Sequence, residues 1–252
     1  MQLFGLIGYP LSHSFSKKYF TEKFEHEGLK DCMYENFPME NITGLPALIK
    51  SQKELRGLNV TIPHKQSVIP YLTDMSDEAK AIGAVNAIKI IHRSSPVAHE
   101  LLTGYNTDAF GFENSLKPLL QSHHKKALVL GTGGASKAVA YVMNKLGIEF
   151  LFVSRKKSGD KIISYDQLND EIIGNNLLII NTTPLGTYPD ISSFPPVPYE
   201  HISKKHLLYD LVYNPEETLF LQKGKEKGAA VQNGLTMLKL QAEKAWEIWN
   251  NK

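Results

Sequence analysis

The sequence predicts an α/β protein of two domains, each built on a largely parallel sheet, and three observations lead there. Short apolar runs of strand length alternate with amphipathic stretches of helical length along the chain. That rhythm halts at the polar segment QSHHKK and restarts beyond it more cleanly. At 252 residues, 42% of them hydrophobic and 21% charged, the chain can form one large domain or two modest ones, and its composition is that of an ordinary globular protein. An intrinsically disordered chain, a collagen and a coiled coil are excluded.

In the first half QLFGLIG reads as a strand, 14–26 as a helix, MYENF as a strand, 41–50 as a helix and LRGLNVTI as a strand, which is the βαβ rhythm of a parallel or mixed sheet. AVNAIKII and HELLTGYN follow as paired strands joined by RSSPVA, whose serines and proline mark a loop. A helix over 107–121 then runs to QSHHKK. Beyond it KALVLG, EFLFVS, NLLIIN and KHLLYDLV are continuous apolar runs, as expected of parallel strands covered on both faces. Helices are predicted between them over 134–146 and 166–173. In the first of these Ala135, Ala138, Val139, Val142, Met143 and Leu146 recur at helical spacing and offer one face to the sheet. TTPLGTYPDISSFPPVPYE holds five of the thirteen prolines and reads as a long surface loop. Near the C-terminus Leu235, Leu238, Ala242, Ala245, Trp246 and Trp249 form a stripe over 235–250, with Gln241 at its margin.

Charge and cysteine content narrow the function. With 28 Lys+Arg against 26 Asp+Glu the net charge is +2, and the densest basic run is only Arg155, Lys156 and Lys157, so no nucleic-acid partner is expected. The lone Cys32 excludes an internal disulfide and a multi-cysteine zinc site, and points to a reducing, intracellular setting. MQLFGLIGYPLSHSF lacks the parts of a secretory signal, and no apolar run nears the ~18 residues of a membrane span. The expectation is a cytoplasmic protein without a membrane partner. The nine histidines show no HExxH or comparable pattern, so no metal is expected.

Two places carry chemistry. VLGTGGASKAVA sets Gly131, Gly133 and Gly134 between a buried strand and a helix, the turn that cradles a pyrophosphate, although Ser136 stands where the GxGxxG pattern has its third glycine. A plain tight turn is the other reading of these glycines. The second strand of that half ends at Ser154 and Arg155 with no carboxylate at its tip, which suits the 2′-phosphate of NADP rather than the ribose hydroxyl of NAD; a solvated charge run is the alternative. In RGLNVTIPHK strand alternation puts the polar Asn59 and Thr61 on one face, and Lys65 follows at the strand's carboxyl end, where open α/β sheets place ligands. Asn86 within an apolar run also reads as a structural amide, and Asp108 at a helix start also reads as an N-cap.

YPLSHSFS, NVTIPHK, GAVNAI, GYNTDAFG, LGTGGASKA, NTTPLG, DLVYNPEET and NGLTMLKLQA occur in the order and approximate spacing of the shikimate dehydrogenase family, which the chain resembles from Gly8 to Gln241. The resemblance implies a substrate-binding, mixed or parallel α/β domain of residues 1–106 plus 235–252, a Rossmann-type doubly wound domain of residues 107–234 that binds NADP, and a cleft between them. It implies Lys65 and Asp108 as the catalytic pair. Ser14 and Ser16 would bind the substrate carboxylate with Tyr213 nearby, and Asn59, Thr61, Asn86 and Gln241 the ring hydroxyls. The cofactor loop falls on Gly131, Gly133, Gly134 and Ala135, and the 2′-phosphate clamp on Ser154 and Arg155. Three departures stand out. Lys17 follows Ser16 where the family commonly has proline, and no His-Asn comes after it; Ser154, Arg155, Lys156 replaces an Asn-Arg-Thr clamp; and NTTPLG replaces an Asn-Ala-Thr-Ser version, a change expected to be neutral.

The activity so implied is reversible NADPH-dependent reduction of 3-dehydroshikimate to shikimate in chorismate and aromatic amino acid biosynthesis, by a monomer or homodimer. The ring ketone needs a hydride on carbon and a proton on oxygen, and a lysine ammonium with an aspartate can stabilise the alkoxide and handle the proton. A quinate/shikimate dehydrogenase using NAD, and a non-catalytic metabolite sensor, are the alternatives.

Overall fold

The computed structural model describes residues 1–11, 14–92, 100–155 and 159–251. The RSSPVA connection and Lys156 and Lys157 of the basic run lie outside the described residues. The chain divides into two compact units, Met1–Thr107 with Ala242–Lys252, and Asp108–Gln241. The division therefore passes within the last helix, after Gln241, and not ahead of Leu235.

The first part of the chain forms β1 (Gln2–Gly8), α1 (Phe15–His26), β2 (Cys32–Pro38), α2 (Leu45–Ser51), β3 (Leu55–Val60), α3 (His64–Ser67), β4 (Asp74–Met75), α4 (Asp77–Ile82), β5 (Ala87–Ile91) and β6 (Leu101–Tyr105). Then follow α5 (Thr107–Leu116), β7 (Lys126–Leu130), α6 (Gly134–Lys145), β8 (Glu149–Ser154), β9 (Ile162–Ser164), α7 (Asp170–Asn175), β10 (Leu178–Asn181), β11 (Leu207–Asp210), α8 (Leu219–Glu226), β12 (Ala230–Gln232) and α9 (Leu235–Asn250). The protein is thus α/β, with two six-stranded sheets among the described residues.

In the first unit the strand order is β2-β1-β3-β5-β6-β4. β1 runs parallel to β2 and β3, whereas β5 is antiparallel to β3 and β6, so the sheet is mixed. The two-residue period of β1 sorts its side chains: Leu3 and Ile7 join Leu45, Ile49, Leu58 and Ile88 on one face, while Phe4 and Leu6 join Phe20, Phe24, Tyr34, Ala245 and Trp249 on the other. This second face is aromatic because α1 and α9 both cover it. Trp249 stacks on Phe4 with ring centroids 5.1 Å apart and donates its indole N–H to the Ile88 carbonyl at 3.0 Å. It lies over Gly57, where a Cβ would stand 2.4 Å from the indole nitrogen.

In the second unit the order is β12-β11-β10-β7-β8-β9 with every pair parallel. The chain leaves β7 toward β8 and returns on β7's other side at β10, so the strand order reverses between β7 and β10; ligands of such sheets bind at the carboxyl ends flanking that reversal. Behind this edge β11 ends in Asp210, a fully buried carboxylate. It accepts hydrogen bonds from Asn181 Nδ2 at 2.9 Å, the Val212 N–H at 3.0 Å and Thr218 Oγ1 at 2.6 Å. Burial outweighs these donors and pushes its pKa from 3.8 up to about 6.

Several elements differ from expectation for local reasons. The helix expected over 41–50 is a single 3₁₀ turn, Ile42–Gly44, followed by α2, whose first turn contains Pro46. The one expected over 107–121 ends at Leu116, before the 3₁₀ turn Lys117–Leu119 that holds Pro118. In place of 166–173 a capping box of Ser164 and Gln167 closes the turn Tyr165–Gln167, and α7 starts afresh from the Asn169 cap. The proline-rich segment has no helix or strand between Asn181 and Tyr199, yet it is not wholly at the surface, for Val197 is buried in the core of the second unit. Among the described residues no helix is long and apolar enough to cross a membrane.

Both tryptophans belong to the first unit, so their fluorescence reports on it alone. Gly57→Ala forces a Cβ against Trp249 and should lower the stability seen by tryptophan fluorescence in urea by about 2 kcal/mol; an unchanged midpoint would contradict this packing. Asp210 binds its proton more tightly folded than unfolded, so its contribution to stability is complete below pH 3.8 and is lost as pH rises through about 6. The loss should be on the order of 3 kcal/mol. Asp210→Asn abolishes that slope, and the stability of wild type relative to the variant, from urea unfolding followed by circular dichroism, should fall across this window.

Candidate active site

In the first unit the predicted residues gather at the carboxyl ends of β1 and β3. Ser14 caps α1 in extended conformation, φ −77° and ψ 113°, its Oγ accepting the Lys17 N–H at 3.3 Å. A proline at position 17 could not make that bond, so the departure at Lys17 keeps Ser14 engaged as a cap; the Lys17 ammonium pairs with Glu35 at 2.6 Å. Ser16, half-buried in the first turn, hydrogen-bonds the phenol of Tyr34. Tyr34 is itself buried and stacked on Phe20, with centroids 4.7 Å apart. Burial pushes its pKa far above the ordinary range, so its hydroxyl stays a donor, to Asn59 Oδ1 at 2.7 Å.

From Asn59 the polar contacts continue along the sheet. Its Nδ2 donates to the Asn86 carbonyl at 3.4 Å, Asn86 Nδ2 donates to Thr107 Oγ1 at 3.0 Å, and the Thr107 N–H donates to Asn86 Oδ1 at 2.6 Å. Asn59 is thus held in one orientation by Tyr34 and the Asn86 carbonyl, and Asn86 by the hydroxyl and the N–H of Thr107. Thr61 lies just past β3, half-buried, its N–H donating to the Ile7 carbonyl at 2.9 Å. Lys65 sits in α3, half-buried, and its carbonyl accepts the Val85 N–H at 2.8 Å, which fastens NVTIPHK to GAVNAI.

Asp108, Tyr213 and Gln241 fall in the second unit. Asp108 lies buried inside the first turn of α5, one residue beyond Thr107, and not at the N-cap. A carboxylate there is favoured by the helix dipole. One turn further Gly111 lets α5 approach α9: a Cβ on it would stand 2.5 Å from the Met237 carbonyl and 3.1 Å from Gln241 Cβ. The structure so brings Gln241, buried, beside the helix that carries Asp108. Tyr213 is half-buried beyond β11, and burial raises its pKa.

The glycine turn lies at the strand-order reversal. Gly131 has φ +101°, the left-handed region that favours glycine, and donates its N–H to the Val153 carbonyl at 2.8 Å. A Cβ on it would stand 3.0 Å from Thr182 Oγ1 and 3.1 Å from Thr183 Cγ2. Gly133 caps α6 with no side-chain bond, and a Cβ on Gly133 or Gly134 would meet nothing within 4 Å. The entry to α6 at Gly133 and Gly134, just ahead of Ala135, is therefore open and without side chains, so the backbone N–H groups of the helix start form a cradle that fits a pyrophosphate. Ser136 takes the place of a third glycine by donating to the Gly133 carbonyl at 2.6 Å, which holds the turn. Ser154 and the exposed Arg155 close β8 as expected. Burial raises the Tyr165 pKa to about 12 and the nearby Arg155 charge opposes that rise. Among the described residues no cluster of histidine, cysteine or carboxylate side chains is placed to hold a metal.

Tyr34, Thr107 and the Asn181–Thr183 run are the residues that sequence reasoning did not single out for the site. The signal for the last was present: polar residues at the carboxyl end of a buried strand, as in NVTIPHK. Tyr34 lies in an alternating run whose partner, Asn59, is 25 positions away.

Comparisons with known proteins supply the family. The shikimate dehydrogenase substrate binding domain family matches residues 6–88. The shikimate dehydrogenase (NADP(+)) of Clostridium beijerinckii is 41% identical, over 99% of this chain and 92% of its own length. The crystal structure of shikimate dehydrogenase 1 from Peptoclostridium difficile is 40% identical with a TM-score of 0.84, covering 99% of this chain and 91% of that one. Shikimate 5-dehydrogenase from Thermus thermophilus, solved in complex with NADP(H) and shikimate, is 33% identical with a TM-score of 0.85, over 99% and 94% of the two chains. Given identity of this order along the whole chain and the same fold in both units, the chain belongs to the shikimate dehydrogenase family.

Proposed function

We propose that this protein is an NADP-dependent oxidoreductase that interconverts 3-dehydroshikimate and shikimate in aromatic amino acid biosynthesis. The observation that carries the reading is the buried chain of oriented hydrogen-bonding groups from Tyr34 through Asn59 and Asn86 to Thr107, which ends one residue before Asp108. Fixed amides of this kind suit a small polyhydroxylated substrate, because a site built to bond each hydroxyl strongly rejects analogues that lack one. Most of the substrate-binding residues then belong to the first unit, Tyr213 and Gln241 belong to the second, and cofactor binding belongs to the second. Ser14, Ser16 and Tyr213 take the substrate carboxylate; Asn59, Thr61, Asn86 and Gln241 take ring hydroxyls. The α6 cradle of Gly131, Gly133, Gly134 and Ala135 holds the pyrophosphate, and Ser154 and Arg155 hold the 2′-phosphate. A cytoplasmic address belongs to the same proposal, since such a reductase works where NADPH and a diffusible substrate are both at hand.

When bound, NADPH supplies the hydride. The Lys65 ammonium donates a hydrogen bond to the substrate's carbonyl oxygen, and that bond strengthens as the oxygen gains negative charge, so it favours the transition state over the ground state. Lys65 and Asp108 share the acid–base work that delivers the proton to oxygen during reduction and removes it during oxidation.

The experiment is a four-way assay of purified protein by the absorbance of the reduced nicotinamide, crossing shikimate and quinate with NADP+ and NAD+. Turnover with shikimate and NADP+ is expected to dominate; preference for quinate or NAD+ would overturn the substrate or cofactor assignment. Lys65→Ala should lower kcat about 10³-fold with NADP+ binding spared; near-normal turnover would remove Lys65 from the mechanism. Arg155→Asp should weaken NADP+ binding about tenfold or more with little change for NAD+, and equal losses for the two cofactors would show that Arg155 does not read the 2′-phosphate.

A further inference from the structure

We propose that Asp210 is a positioning residue for cofactor binding: it ties the carboxyl ends of β10 and β11 together so that Thr182 and Thr183 seat against Gly131. The proposal rests on the NADP-dependent reading above. Asp210 is fully buried, so it acts only through its neighbours. Its first neighbour is Asn181, the last residue of β10, whose Nδ2 it holds at 2.9 Å. With that hydrogen bond made, Asn181 turns its Oδ1 to Thr183, accepting from the backbone N–H at 3.0 Å and from Oγ1 at 2.6 Å. Thr182 is fixed from the other side, donating Oγ1 to the Leu130 carbonyl at 2.6 Å and its N–H to the same oxygen at 3.0 Å. These two threonines form the wall that a Cβ on Gly131 would strike. A continuous set of contacts therefore runs from β11 through β10 to the glycine turn after β7, across the strand-order reversal.

The chemistry of Asp210 also favours a positioning role. A carboxylate in the interior costs desolvation, and its raised pKa reports that cost, whereas an apolar side chain at the end of β11 would fill the space without it. Only an ionised carboxylate accepts from Asn181, Val212 and Thr218 at once, and these three groups come from β10, the segment after β11, and the cap of α8. One charge thereby sets three segments of the cofactor edge.

The test compares Asp210→Ala and Asp210→Asn with wild type. Asp210→Ala is expected to raise the NADP+ dissociation constant, measured by calorimetry, about tenfold or more, while kcat at saturating NADP+ and KM for shikimate change by less than about threefold. Asp210→Asn keeps an acceptor for Asn181 and Val212 and should recover most of the affinity. In protein without cofactor, amide exchange at Thr182 and Thr183 should quicken about tenfold in Asp210→Ala. Unchanged NADP+ affinity in Asp210→Ala, or loss of affinity, KM and kcat by one common factor, overturns the proposal. If wild type takes up no NADP+, the NADP-dependent reading fails, and the exchange rates still decide the positioning: unchanged protection of Thr182 and Thr183 overturns it. Should Asp210→Ala fail to fold, Thr218→Val removes one donor from the carboxylate and should weaken NADP+ binding severalfold with kcat retained, and unaltered affinity in that variant overturns the proposal equally.

Discussion

A strand buried on both faces cannot carry a polar side chain unless another buried group satisfies it, and this constraint shapes both halves of the protein. Most strand residues are accordingly apolar, and polar side chains collect where strands end. Asn59, buried near the carboxyl end of β3, is tolerated because Tyr34 and the Asn86 carbonyl bond to it. Asp210 is the counterpart in the second sheet, with three donors arranged around one carboxylate. In each unit a polar network thus fixes the place where several segments meet.

Close backbone approach does the rest. Gly57 admits Trp249 to the first sheet, Gly111 lets α5 meet α9, and Gly131 lets the turn after β7 pass beneath Thr182 and Thr183. A side chain at any of the three would move a neighbour that belongs to a core or to a candidate binding surface. The C-terminal helix serves two purposes at once: its second half covers the aromatic face of the first sheet, and its first half holds Gln241 beside α5.

The alternating rhythm of apolar runs was sufficient for the α/β class, for a parallel or mixed first sheet and for a parallel second one, since burial on one or two faces imprints itself directly on residue pattern; that the first sheet is mixed came from the antiparallel pairing of β5. Elements that depend on proline placement or a single cap shifted: Pro46 and Pro118 cut two expected helices short, and the two- and three-residue strands β4, β9 and β12 are below the length at which periodicity can register. Serine, aspartate and glycine signals around α4 were present in SDEAKAIG, with Ser76 as cap and Gly83 left-handed, but the apolar stripe there is too short to stand out.

By itself the sequence determined the fold class, the glycine turn and the motifs that carry family membership, because each is local: a period, a turn, a run of a few residues. Only the tertiary structure decided which distant groups share a bond. Tyr34 and Asn59 meet across β1, Asn86 just ahead of β5 meets Thr107 from 21 positions away, and Asp210 reaches Asn181 on the neighbouring strand. The physical reason is that a hydrogen bond needs its partners within about 3 Å, and separation along the chain says nothing of that distance until strand register and helix packing bring the two residues together.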